Sequence, residues 1–207
     1  MKLLTRPRLF AASAMAWLIA APAAFAHHLP PGMEEVDEFG DETFMTALKH
    51  PFTGIDHLLA ALAIGLIAYS WGKKVGLQSI GTFLVAMLGG LVLGRAGIDF
   101  PMMEQGLSLS IVICGCVIAG ARFIPKFAML GLAALVGLWH GCAHGLEMPV
   151  TVNPSLFAIG LCLGSAGIAL TGNFLCRLFP HVSAVVPRLA GGGFAAVGTW
   201  LFIASLR

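Results

Sequence analysis

Charge is what this sequence has least of. Lys, Arg, Asp and Glu make up 11% of its 207 residues, hydrophobic residues make up 58%, and the mean hydropathy is +0.90. A soluble domain carries roughly 25% charged residues. So few polar groups cannot cover a water-exposed surface. That excludes a disordered chain and a nucleic-acid binder, and makes lipid the main solvent. The net charge of +2 is too small to name an anionic partner. Tyrosine is nearly missing, with one residue, while glycine supplies 26. That balance fits close-packed membrane helices better than a β-barrel with aromatic girdles. The five cysteines are odd in number and all lie in apolar stretches, so they imply no disulfide framework. There is no GxxxxGK[ST] loop for a nucleotide and no HExxH helix for a metallohydrolase.

What is present begins with an export signal. Lys2, Arg6 and Arg8 precede an apolar run from Leu9 to about Ala20, and Ala24-Phe25-Ala26 has the small-x-small form of a cleavage site. Residues 1–26 are therefore expected to be a cleaved signal peptide, with an uncleaved anchor as the alternative. Losing three of the twelve basic residues leaves nine against ten acids, so the excess positive charge belongs to export. Residues 27–49 hold Glu34, Glu35, Asp37, Glu38, Asp41 and Glu42. They are expected to form an outer acidic arm, either a solvated linker or a funnel that concentrates cations. Residues 50–207 are expected to form the transmembrane domain. It divides into six apolar spans, at 51–71, 75–94, 102–121, 127–147, 154–176 and 187–206. Each is near the ~20 residues that cross a bilayer core. The fold expectation is an all-α, polytopic, six-helix membrane bundle.

Charge orients the bundle. With the mature N-terminus outside, the inner loops hold Lys73, Lys74, Arg122, Lys126, Arg177 and Arg188, and the outer side holds Lys49, Arg95 and Arg207. The bias matches the positive-inside rule. All ten acids fall on the outer side or in outer half-helices. Both termini are then periplasmic, in a bacterial inner membrane. Three spans per half give the halves opposite orientation, the layout of a 3+3 inverted repeat.

The few ionisable groups inside the spans cluster, and such groups usually mark a pathway. The first span opens His50-Pro51-Phe52-Thr53-Gly54-Ile55-Asp56-His57. The fourth ends His140-Gly141-Cys142-Ala143-His144-Gly145-Leu146-Glu147, and Glu104 opens the third. His140 and His144 are four apart and share a helix face, with Glu147 three further on. His50 and His57, seven apart, share a face of the first span, with His57 about 10 Å deeper. The expectation is a two-rung ladder. His50 and Glu147 stand at the rim, Asp56, His57 and His140 lie deeper, and His144 and, more weakly, Glu104 lie between. Gly54, Gly141 and Gly145 are expected to let these helices approach closely. Imidazoles with carboxylates suit Ni²⁺, Co²⁺, Zn²⁺ or Cu²⁺ rather than Mg²⁺ or Ca²⁺. The nine methionines form no MxxM ladder, which weakens copper. Cleavage after Ala26 would expose His27-His28, an outer metal station or an incidental tail. Cys114-Gly115-Cys116 and Cys142 read as core, and Gly160-x3-Gly164 and Gly191-Gly192-Gly193 as packing devices.

These two motifs resemble the HPxxGxDH and HGxAHGxE patterns of the HupE/UreJ family of nickel permeases, and Glu104-Gln105-Gly106 is also similar. The resemblance covers essentially the whole chain. It implies import of Ni²⁺, or Co²⁺ in some relatives, for hydrogenase or urease, with no prosthetic group and no enzymatic activity. It places the metal on His50, Asp56, His57, His140, His144 and Glu147. A membrane cytochrome with paired axial histidines, or a metal sensor that binds without transporting, are the other readings of the same residues.

Overall fold

The computed structural model describes residues 40–120, 124–178 and 185–207. The signal segment, His27, His28 and Glu34–Glu38 lie outside the described residues. Those described form seven helices and no strand: α1 (Gly40–Thr53), α2 (Ile55–Ser70), α3 (Gly72–Arg95), α4 (Met103–Gly120), α5 (Lys126–Glu147), α6 (Pro154–Leu178) and α7 (Val185–Ala204). Helices α3 to α7 follow the last five expected spans closely. Helix α1 begins at Gly40, so residues 40–49, expected in the acidic arm, are already helical.

The first expected span is not one helix. It is the end of α1 and all of α2, bent by 80° around Gly54. The motif itself explains the break. Pro51 has no N–H to give the carbonyl of Ala47. Thr53 Oγ1 donates to the His50 carbonyl at 2.8 Å, ending the helix on its own side chain. Gly54 is extended, with φ −88° and ψ 121°, and its carbonyl accepts the N–H of Leu58 at 2.9 Å to start α2.

Four helices, α3 to α6, are long and apolar enough to cross a membrane, and the bent pair makes five if it counts as one span. The apolar part of α7 runs over 188–204 and is shorter. By length, the described residues thus give four or five spans where six were expected. Large apolar side chains look outward, among them Phe127 (78% exposed), Val85 (71%) and Leu189 (70%). Such a surface is adverse in water and natural in lipid. The protein is a multi-pass membrane protein.

Helix α2 is the buried centre. It is apolar on every side, as a fully surrounded helix must be. Its residues from Leu59 to Ala68 are buried apart from a partly covered Leu66. It packs on α3, α4 and α6, while α3 lies along α5, α4 along α7, and α6 receives both α1 and α2. Lipid tails are as apolar as leucine, so these contacts rest on close packing rather than on escape from water. Glycine supplies it. Cβ atoms at Gly137, Gly141 and Gly145 of α5 would strike the carbonyls of Phe83, Met87 and Leu91 on α3. At Gly160 and Gly164 of α6 they would strike the carbonyls of Phe44 and Leu48 on α1, and at Gly191 of α7 the carbonyl of Gly115 on α4. Gly141 and Gly145 thus do let helices approach closely, as expected, and the helix they admit is α3. These glycines sit on the α3 side of α5 and leave the other side to the histidines.

Candidate metal site

Three helices bring the ionisable side chains together. His50 comes from the last turn of α1, Asp56 and His57 from the first turn of α2, and His140, His144 and Glu147 from the final turns of α5. The break at Gly54 decides the geometry. His50 and His57 reach the cluster from opposite sides of the bend, not from one face of a continuous helix, and their ring centroids are 5.9 Å apart. Gly54 also leaves the needed space, because a Cβ there would lie 2.9 Å from both Asp56 Oδ1 and His57 Cδ2.

The donors adjoin one another, two of them partly exposed and the rest buried. Glu147 Oε2 lies 3.7 Å from His50 Nε2, and their side chains are 41% and 31% exposed. The His50 ring centroid is 4.9 Å from that of His144, which is 4.1 Å from His57, which is 5.3 Å from His140. Asp56 Oδ2 stands 3.7 Å from His57 Nδ1. His144, His140, His57 and Asp56 are all buried. One ligand atom from each of His50, His57, His144 and Glu147 falls within 4.8 Å of the others. Donors bonded to one ion at about 2.0–2.1 Å can be at most about 4.2 Å apart. Closure on an ion therefore asks for a contraction of less than about 1 Å.

Buried polar atoms here lack hydrogen-bond partners. Nε2 of His50, Nε2 of His140 and Nδ1 of His144 are buried without one. A buried polar group left unpaired is costly, and those of His50 and His144, both in the four-donor group, fit a cation that pairs them. His140 is held within its own helix. Its Nδ1 lies 2.9 Å from the carbonyl of Val136, one turn back on α5. A carbonyl only accepts, so it is the Nδ1–H tautomer that makes this bond and leaves the lone pair on Nε2, with the Asp56 backbone also against the ring. Imidazole ligands are commonly oriented in this way.

Other expected residues stand apart. Glu104 opens α4 and is exposed outside the four-donor group, with its carbonyl accepting Ser108 Oγ at 2.9 Å. His140 and Asp56 adjoin the group through His57 without belonging to it. Cys142 is buried and donates to the Ile98 carbonyl at 3.1 Å, and a Cβ at Gly94 of α3 would strike its carbonyl. Cys114 is buried and Cys116 exposed, on different faces of α4.

The model of the family described as HupE / UreJ protein matches residues 15–201. The chain belongs to this family. Among the HupE/UreJ relatives, Protein HupE of Rhizobium leguminosarum bv. viciae is 33% identical over 160 residues, which cover 77% of this chain and 84% of that protein. No solved structure matches the chain. In this HupE/UreJ protein the two long motifs form facing walls of one cluster. The break inside the first motif was the feature sequence reasoning missed. Its signal was a proline and a glycine three residues apart at the head of an apolar run.

Proposed function

We propose that this protein is a secondary permease, not an enzyme, that carries a divalent transition metal into the cell. Nickel is the first choice of cargo and cobalt the second. The observation that carries this reading is the convergence of three imidazoles and one carboxylate within 4.8 Å inside a bundle of membrane helices. Nitrogen and oxygen donors of this kind suit Ni²⁺ or Co²⁺, and the buried cysteines stay out of the cluster.

The path begins outside. The acidic residues before α1, with His27 and His28, gather the cation. Glu147 and His50, the most exposed donors, replace part of its water shell. His57 and His144 then hold it, with Asp56 and His140 beside them. Imidazole binds metal only when neutral, so protons compete and acid weakens capture. An inside-negative potential favours entry by roughly 2.3 kcal/mol per charge per 100 mV, which lets uptake proceed without ATP.

Six spans, a bacterial inner membrane and periplasmic termini complete the proposal, with α1 and α2 as one broken span and α7 as the last. The helix pairing supports an inverted repeat. Exchanging the first three spans with the last three turns the α3–α5 pair into the pair of α6 with α1 and α2, and returns α4–α7 to itself. Discontinuous helices at the interface of such repeats are where transporters bind ions. The imported metal would serve hydrogenase or urease. A haem reading fits poorly, because rings 4.1 Å apart at His57 and His144 leave no room for a macrocycle between them.

The test is ⁶³Ni uptake, with cobalt competition, in cells expressing wild type, His57→Ala or His144→Ala. Wild type takes up nickel and cobalt suppresses it, while either variant is silent at normal membrane levels. Uptake by both variants at the wild-type rate would overturn the site.

A further inference from the structure

The four-donor group leaves His140 unexplained. This ring is buried, yet it lies outside the set that can close on one ion. It is oriented through Nδ1 by the Val136 carbonyl, with the Asp56 backbone also against the ring, and its Nε2 is buried and makes no hydrogen bond of good geometry. Among the described residues its only ring contact is His57, at 5.3 Å. His57 in turn meets His144 at 4.1 Å on the other side. His57 therefore stands between the outer donors and His140.

We infer that the metal path has two stations sharing His57: a capture station of His50, His57, His144 and Glu147, and a transfer ligand, His140, that receives the ion from it. This rests on the permease reading above. One ion moves by ligand exchange. As His140 Nε2 enters its coordination shell, an outer donor leaves, and His57 stays bound throughout. The number of protein ligands is maintained, so the ion never crosses buried space bare. Asp56, 3.7 Å from His57 Nδ1, is placed to orient that shared ring. The residues beyond agree with a last donor. Towards its N-terminus from His140, α5 presents buried Val136, Ala133 and Met129. From His57, α2 continues with buried Leu59, Ala60, Ala61 and Ile64. The ion leaves His140 when this apolar packing parts.

A division of labour follows. Removing an outer donor weakens capture, whereas removing His140 spares capture and stops transfer. His140→Asn is the informative variant, because its amide can still donate to the Val136 carbonyl while no lone pair replaces Nε2. Purified full-length protein is assayed for equilibrium Ni²⁺ binding in detergent and for ⁶³Ni uptake in proteoliposomes, beside wild type and His144→Ala. We expect His140→Asn to bind nickel with the wild-type stoichiometry and an affinity within about threefold, and to lose uptake by at least about tenfold; His144→Ala loses both. His140→Asn losing affinity as severely as His144→Ala would overturn the two stations in favour of one. Wild-type uptake by His140→Asn would reduce His140 to a core residue and equally overturn the proposal. Failure of wild type itself to bind nickel or cobalt would instead overturn the permease reading on which both stations stand.

Discussion

At the scale of the residue, placement of the donors depends on what is missing at one position. Gly54 has no Cβ, and its space is taken by the side chains of Asp56 and His57, at 2.9 Å from where that atom would be. Gly54→Ala keeps every ligand and forces these two side chains to move. We expect nickel uptake to fall about tenfold with unchanged membrane levels, comparable to the loss of an orienting partner around a metal. Uptake assays on membranes matched by immunoblot check it, and a wild-type rate would show that the position tolerates a methyl group. His140 carries a parallel lesson. The sequence places it four residues before His144, which is enough to predict a shared face. Its orienting bond to Val136 depends on a rotamer that spacing does not reveal.

At the scale of the element, two faces of α5 have separate duties. His140, His144 and Glu147 look towards α1 and α2, while Gly137, Gly141 and Gly145 seat the helix on α3. Helix α3 is thus the rail that fixes the position of the histidines. Gly141→Ala drives a methyl group into the Met87 carbonyl, and overpacking of that kind typically costs about 1–3 kcal/mol. Gly131→Ala, on the same helix with nothing within 4 Å of the added atom, has no such cost. Thermal unfolding in detergent is expected to show a lowered midpoint for the first variant and none for the second. Equal midpoints would contradict the role of the α3–α5 seam. The same helices mark where sequence reading succeeds and stops. The length and polarity of α3 to α6 were legible, because lipid imposes both. The 80° bend was not, since the stretch 51–71 has the length of one span and only Pro51 and Gly54 hint at a break in it. The close packing at the α5 glycines was legible but not its partner, because a sequence shows which residues are small, not which helix lies against them.

At the scale of the whole molecule, the bundle sets a polar cluster, partly open at one end and buried at the other, against an apolar centre. Glu147 and His50 remain partly open, while His144, His57 and His140 are closed over. Helix α2 carries both the shared ligand, His57, and the apolar residues that follow it. A shift of α2 against α5 would therefore act on ligand geometry and inner closure together. The broken first span supplies a joint for such a shift, because α1 and α2 are held on α6 separately, by Gly160 and Gly164 on one side and Gly172 on the other. In the proposed inverted repeat, alternating access would be achieved by rocking one repeat against the other.

The central claim is that this chain alone moves a divalent metal down the membrane potential through the His/Glu cluster. Its most direct test is ⁶³Ni influx into liposomes containing only the purified protein, under an inside-negative potassium diffusion potential and without nucleotide. Wild type is predicted to accumulate nickel, to stop when the potential is collapsed, and to be inhibited by cobalt, while His57→Ala stays at the level of empty liposomes. Wild-type influx no greater than that of empty liposomes, or equal influx by His57→Ala, would contradict it.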